Sequence, residues 1–239
     1  TDFSHPAAKR KLIWDLSQAL PLIEKFKRQI TQSGQRKLIE KFERRIRAAF
    51  HEKTEELTCG IIHNDGNDHN IIVSPPSLKS SSFGQMRIKG LIDFGDMIYS
   101  YKLADLAVVC AYAMLNKQNP LQAACCITAG YHSRIPLREN ELAVLYDLIQ
   151  LRLMMSVCIS AHQKKLNPEN QYLSISEDSI WALLGDMRDI SPDFIHYSLR
   201  SACGLPPCPR TAAVVDWLTS QKREIGPLTR PDLRKTERT

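Results

Sequence analysis

Two short apolar segments enclose a polar loop in the stretch Ile61-Ile62-His63-Asn64-Asp65-Gly66-Asn67-Asp68-His69-Asn70-Ile71-Ile72-Val73. The β-branched residues on each side predict two strands. Between them stand seven polar residues and one glycine, and a turn does not require so many histidine, aspartate and asparagine side chains together. We therefore expect this loop to carry a functional site and not merely to connect the strands.

The spacing of Asp65 and Asn70 is typical of a phosphoryl-transfer loop. This reaction needs a carboxylate that accepts a hydroxyl proton, and oxygen ligands that hold magnesium on the nucleotide phosphates. In the kinase catalytic loop an aspartate is followed five positions later by an asparagine. Asn70 stands five positions after Asp65, which predicts Asp65 as the catalytic base and Asn70 as a magnesium ligand.

A second half of the motif lies in Leu91-Ile92-Asp93-Phe94-Gly95, an apolar strand that ends in Asp-Phe-Gly. The carboxylate of Asp93 is a hard oxygen donor suited to magnesium, and a glycine at this point lets the backbone turn away. Either half alone is a weak signal. The ordered pair, with Asp93 placed 23 residues after Asn70, predicts a kinase-like site.

These motifs resemble the aminoglycoside phosphotransferase and choline kinase superfamily, whose loop is commonly His-Gly-Asp-Leu-His-x-x-Asn. The ending Asn67-Asp68-His69-Asn70 is similar to the hydroxylysine kinase-like branch, including chains in which such a domain is fused to a class III aminotransferase. The resemblance extends from about His5 to about Leu233. It implies the C-terminal (catalytic) lobe of a protein-kinase-like fold.

The resemblance also implies roles for individual residues. Asp65 matches the base that orients and deprotonates the acceptor hydroxyl, and Asn70 and Asp93 match the magnesium ligands. His63 matches a histidine that packs behind the loop, and Asp105 matches a buried aspartate that braces the loop by hydrogen bonds. We expect these last two residues to shape the site without touching the substrate.

Asp68 and Asp96 have two open interpretations: they could bind a cationic substrate, or they could cap turns. The resemblance implies Mg²⁺ as cofactor, ATP or GTP as phosphate donor, and a hydroxyl of a small cationic metabolite as acceptor. A 5-hydroxylysine-like amino acid is the favoured acceptor. Aminoglycosides and amino-alcohols such as choline or ethanolamine remain alternatives.

Helical periodicity on both sides of the strands predicts an α+β fold that is mostly α-helical. Before the loop we expect helices over 11–30 and 38–50, separated by Gly34, and a third strand follows over 87–93. After it, the periodicity predicts helices over 103–116, 119–132, 139–165, 177–188, 191–202 and 210–224. The Pro/Ser-rich segment 74–84 is expected to form a mobile surface loop.

The domain is expected to span 1–225, followed by a linker or tail over 226–239. A kinase also needs a loop over the phosphates and a strand lysine, both N-terminal to the catalytic loop. Because the residues before Asp65 look helical, we expect the N-terminal nucleotide lobe to be absent from this chain. The isolated chain should then show little activity.

Composition argues against several other classes of protein. The net charge of +6 is modest and the basic residues alternate with acids, which argues against a nucleic-acid partner. No run of about 18 apolar residues predicts a membrane span, and seven scattered cysteines favour a reducing, cytoplasmic location. A metal-dependent hydrolase and a non-catalytic kinase-like binding module remain as alternative functions.

Overall fold

The structure, a computed structural model, describes residues 5–74, 87–167 and 177–221. Within these residues the fold is α+β and mostly helical, which confirms the predicted class. Most of the Pro/Ser-rich segment and the whole predicted tail 226–239 lie outside the described residues. The elements are α1 Ala19–Phe26, α2 Ser33–Arg47, α3 Phe50–Thr54, β1 Cys59–Ile62, β2 Ile71–Val73, β3 Ile88–Leu91, β4 Ile98–Tyr101, α4 Lys102–Ala113, α5 Pro120–His132, α6 Glu139–Leu166, α7 Glu177–Met187, α8 Pro192–Ala202 and α9 Thr211–Ser220.

Helix α6 is the centre of the hydrophobic core. It is 28 residues long, and its middle turns are buried on every side, including Leu148 and Met154 at 0% exposure. A helix that is apolar all round belongs in a protein interior or a membrane. By length and composition α6 could cross a membrane, but 89% of its apolar window is buried inside this fold. Its environment here is that of a core helix, with α1 and α4 packed against it.

Two small antiparallel ladders hold the polar loops in place. β1 pairs with β4, with Ile62 opposite Ile98, and β2 pairs with β3, with Ile71 opposite Leu91. The loop 63–70 therefore connects one ladder to the other, and the Asp-Phe-Gly loop makes the same connection on its return. β4 was not predicted, because its sequence Ile98-Tyr99-Ser100-Tyr101 has no continuous apolar run: its buried residues, Ile98 and Ser100, alternate with the more exposed tyrosines.

The predicted helix over 11–30 is confirmed only in part, because residues 11–15 are not helical. The helical segment consists of a 3₁₀ turn over Leu16–Gln18, then α1, then a second 3₁₀ turn over Lys27–Gln29. The buried carboxylate of Asp15 accepts a hydrogen bond from the amide of Ser17 at 3.0 Å and so fixes the start of the helical segment there. Asp15 also accepts a 2.6 Å hydrogen bond from the hydroxyl of Ser100, which ties this start to β4.

Gly34 does not separate two helices as predicted, because it lies in the first turn of α2. A Cβ at this position would meet nothing within 4 Å, so the chain is open to solvent here. A glycine in a helix costs about 1 kcal/mol relative to alanine. The amphipathic pattern that buries Ile39, Phe42 and Ile46 outweighs that cost and carries the helix through the glycine.

Candidate active site

A direct contact joins the predicted base to the predicted magnesium ligand. The side-chain nitrogen of Asn70 donates to the carboxylate oxygen Oδ2 of Asp65 and to its backbone carbonyl, both at 2.8 Å. Asn70 is buried, whereas the side chain of Asp65 is 23% exposed. Since both N–H groups of the Asn70 amide are used in this way, its Oδ1 is the atom left for a cation.

Asp105 in the first turn of α4 anchors the start of the same loop. Its carboxylate accepts hydrogen bonds from the backbone amides of His63 at 3.0 Å and Asn64 at 2.7 Å. Burial raises the pKa of Asp105, and the hydrogen bonds from Asn64 and His63 oppose that shift. The contact fixes the loop to a helix that itself packs on α6.

His63 connects the two halves of the motif. Its Nδ1 accepts from the amide of Asp65 at 3.3 Å, so the ring proton is assigned to Nε2, which donates to the carbonyl of Ile92 at 3.0 Å. The ring also meets the edge of the Phe94 ring, with 5.0 Å between centroids. In addition, the amide of Ile92 donates to the carbonyl of Asn70 at 3.0 Å. The backbone just before Asp93 is therefore adjacent to Asn70.

Asp93 has a left-handed backbone conformation, with φ 59° and ψ 70°. Such strain in a residue other than glycine persists only where surrounding contacts fix it. Here the carboxylate of Asp93 accepts from the amide of Gly95 at 3.2 Å. The guanidinium of Arg10 donates to the carbonyl of Gly95 and, at 3.2 Å, to that of Met97. The contacts at Gly95 and Met97 therefore fix the loop that carries the exposed carboxylate of Asp93.

The donor chemistry of Asn70 and Asp93 fits magnesium. Among residues 5–74, 87–167 and 177–221, no group of three or more His, Cys, Asp or Glu side chains could hold a metal ion. Magnesium in kinase-type sites does not need such a group, because it takes one or two protein oxygens and completes its shell with phosphates and water. One amide oxygen and one carboxylate meet that requirement.

Asp68 and Asp96 lie on the two loops that carry the predicted ligands. Asp68 is exposed at the start of the 3₁₀ turn Asp68–Asn70, and Asp96 is half-buried at the end of the 3₁₀ turn Phe94–Asp96. Asn67, not Asp68, caps the first of these turns, by accepting from the amide of His69 at 2.9 Å. Asp93 caps the second. The capping interpretation of Asp68 and Asp96 therefore has no support in these contacts.

Sequence reasoning missed Arg152. This arginine lies in the middle of α6 at 2% exposure, and its Nη2 donates to Oδ1 of Asp65 at 3.3 Å. A signal was present in the sequence, because a charged residue between Leu151 and Leu153 of a core helix is rarely buried without a partner. The identity of that partner, 87 residues away along the chain, could not be found from the helical pattern.

Comparison with known proteins shows the family of the chain. Residues 4–137, more than half of the chain and all of the predicted site residues, match the model of the phosphotransferase enzyme family. The chain belongs to this phosphotransferase family. Arg152 lies beyond the matched residues.

Curated relatives point to one branch of the phosphotransferase family. The chain is 34% identical to a hydroxylysine kinase of Mus musculus over 194 residues. The matched region covers 79% of this chain and 51% of the relative. It is 29% identical to that of Xenopus laevis over 81% of the chain and 53% of the relative, and 30% identical to that of Bos taurus over 79% and 51%. The chain spans about half the length of these relatives.

Asn64 stands where loops of this superfamily commonly have glycine. The backbone conformation at this position explains why glycine or asparagine is favoured there. Its φ is 68°, in the left-handed region that glycine enters freely and asparagine tolerates. The residue is fully buried, and neither Oδ1 nor Nδ2 of its side chain has a hydrogen-bond partner among the described residues. The backbone conformation therefore selects this residue more than its side-chain contacts do.

We predict that Asn64→Gly is more stable to unfolding than Asn64→Ala, by about 1 kcal/mol, because alanine carries the left-handed strain and glycine does not. Chemical denaturation of both variants measures the difference. The same pair at Asn140, in the first turn of α6, is the control and should show the opposite order, since alanine is the better helix former. Equal stability of the two Asn64 variants would contradict this explanation.

Gly66 allows the loop 63–70 to lie close to α4. A Cβ on this glycine would stand 2.7 Å from Cγ2 of Val109, which is closer than carbon atoms can pack. We predict that Gly66→Ala displaces the loop and lowers the thermal stability of the protein, measured by thermal denaturation. Adding Val109→Ala should restore much of that stability, because it removes the opposing methyl group. Failure of the second substitution to restore stability would show that another contact constrains Gly66.

Proposed function

We propose that the protein transfers the γ-phosphate of ATP or GTP to a hydroxyl group of a small cationic metabolite, with a 5-hydroxylysine-like amino acid as the favoured acceptor. The observation that carries the proposal is the pair of 2.8 Å hydrogen bonds by which Asn70 holds Asp65. Family membership and the similarity to hydroxylysine kinases support it.

Asp65 would act on the acceptor hydroxyl. Its carboxylate is held at Oδ2 by Asn70, yet 23% of its side chain remains exposed. An acceptor alcohol can therefore donate a hydrogen bond to this carboxylate and lose its proton to it as the new P–O bond forms. The bond from the γ-phosphorus to the bridging oxygen breaks in the same transfer, and the nucleoside diphosphate leaves with that oxygen. Much of the catalytic effect in such reactions comes from holding the hydroxyl in line with the phosphate.

Oδ1 of Asn70 and the carboxylate of Asp93 would hold Mg²⁺. When bound, this ion neutralises the phosphate oxygens on which charge develops. A kinase also needs a loop over these phosphates and a strand lysine. We propose that the full-length protein supplies both from a nucleotide lobe outside this chain.

The charge around the site supports a cationic acceptor. Four carboxylates lie on two adjacent loops, those of Asp65, Asp68, Asp93 and Asp96. Neither Asp68 nor Asp96 caps a turn in the contacts described above. Clustered carboxylates raise the local concentration of cations. An amino-alcohol or hydroxylated amino acid with a protonated amine would be attracted to such a surface, and Asp68 or Asp96 would bind that amine.

We predict that Asp65→Asn lowers kcat of the full-length protein by about 10²- to 10⁴-fold, the usual contribution of a positioned acid or base. The isosteric amide keeps the size of the side chain but accepts a proton poorly, and its single oxygen can keep only one of the two hydrogen bonds that the carboxylate accepts from Asn70 and Arg152. Product formation is measured with Mg²⁺, ATP or GTP, and a panel of 5-hydroxylysine, choline, ethanolamine and an aminoglycoside. Circular dichroism checks that the variant is folded.

The matched control is Asp178→Asn, an exposed aspartate in the first turn of α7, which should leave turnover unchanged. Equal turnover by native protein and Asp65→Asn would reject the assignment of the base. Binding of nucleotide without any acceptor-dependent turnover would instead favour the non-catalytic module. Zinc-dependent hydrolysis with no phosphorylated product would favour the hydrolase.

A further inference from the structure

A buried guanidinium lies directly beneath the predicted base. Arg152 contacts Asp65 through Nη2 and Oδ1 at 3.3 Å, and only 3% of the arginine side chain is exposed. The same Nη2 reaches the hydroxyl of Tyr112 at 3.3 Å, and Nη1 reaches the carbonyl of Trp14 at 3.4 Å. These partners come from α4, from the segment before α1 and from the loop after β1, so four separate parts of the chain meet at this arginine.

Stability alone does not account for Arg152. Burying a guanidinium has a large desolvation cost, and buried ion pairs can often be replaced by apolar residues with no loss of stability. The three hydrogen bonds of Arg152 are long, at 3.3 to 3.4 Å. Its Nε has no hydrogen-bond partner in the part of the chain that the structure describes. A purely structural arginine would be expected to have shorter and more complete contacts.

Two aromatic rings hold the guanidinium in place. Its central carbon lies 4.6 Å from the centroid of the Trp14 ring and 5.4 Å from that of Tyr112. Arginine stacks favourably on such rings, and its rigid planar fork keeps a fixed direction when it does so. The rings therefore orient Nη2 toward Asp65 even though its hydrogen bonds are long.

The contact completes the support of the Asp65 carboxylate. Rotation about the last torsion of an aspartate has a broad energy profile, so one hydrogen bond leaves the carboxylate free to turn. Asn70 holds Oδ2 at 2.8 Å and Arg152 holds Oδ1 at 3.3 Å. With both oxygens held, the carboxylate plane is fixed, and each oxygen keeps a further lone pair for an acceptor hydroxyl.

We propose that Arg152 is a positioning residue for phosphoryl transfer: it fixes the orientation of the Asp65 carboxylate from the core side of the site. The proposal rests on the proposed function, because it assigns Arg152 an effect on the step in which Asp65 takes part. It does not require Arg152 to touch the acceptor or the nucleotide.

The first test compares Arg152→Met with Arg45→Met in the full-length protein. Arg45 also pairs with an acid on α6, Asp147, at 2.8 Å, and its guanidinium lies 5.6 Å from the ring of Tyr146. Removing it deletes the same kinds of contact away from the site. We expect Arg152→Met to lower kcat on the order of 10²-fold with KM nearly unchanged, because misplaced catalytic groups cost about that much. Arg45→Met should keep the native kcat per folded molecule.

A double-mutant cycle then asks whether Arg152 acts through Asp65. In the Asp65→Asn background, Arg152→Met should cost less than about threefold, because the group that it positions has already lost its role. Arg152→Lys keeps the charge but not the planar fork, and should recover part of the lost kcat. A native kcat in Arg152→Met, or losses that multiply in full in the double variant, would overturn the proposal.

A readout that does not need turnover separates this proposal from the proposed function. The carboxyl ¹³C resonance of Asp65, recorded at neutral pH, should move in Arg152→Met and stay in place in Arg45→Met. If the native protein transfers no phosphate to any acceptor, the proposed function fails, and this resonance still tests the contact. An Asp65 resonance that is the same in Arg152→Met and in native protein would overturn the positioning role.

Discussion

The hydrogen bonds from Asn70 to Asp65 are the constraint on which the rest of the site depends. They close the five-residue span between these residues by joining the amide of Asn70 to both a carboxylate and a carbonyl oxygen at 2.8 Å. β2 starts directly after Asn70 and pairs with β3, which supports the direction of this side chain. Two further contacts support the loop: Asp105 fixes its start to α4, and His63 joins it to the strand that leads to Asp93.

The site combines exposed carboxylates with one buried cation. Asp68 and Asp93 are exposed, and Asp65 and Asp96 are half-buried, whereas Arg152 is buried in the core helix. A buried charge is costly unless it is paired, and here the pairing falls on the residue assigned as the base. α6 thus has two roles, since it supplies most of the core and also carries the arginine that reaches the site. Sites supported by rigid elements hold their geometry better than sites on loops alone.

The candidate site was predicted from the sequence because phosphoryl transfer places strict demands on spacing. Asp65, Asn70 and Asp93 stand out in the sequence for that reason, and the structure joins the first two directly. The fold class followed from periodicity. The helix bounds before the site did not, because the side chain of Asp15 starts the helical segment later than its apolar pattern suggests. Arg152 was missed because its contact with Asp65 joins residues distant in sequence, and a helical pattern carries no information about such partners.

The most direct test of the account is a crystal structure of the full-length protein with a non-hydrolysable ATP analogue and Mn²⁺ in place of Mg²⁺, located by its anomalous signal. Both ions favour octahedral oxygen ligands, so Mn²⁺ reports the same site. The account predicts a manganese peak about 2.0 to 2.3 Å from Oδ1 of Asn70 and from the carboxylate of Asp93, with the carboxylate of Asp65 facing the γ-phosphate. A peak bound by other residues, or an Asp65 carboxylate turned away from the γ-phosphate, would contradict it.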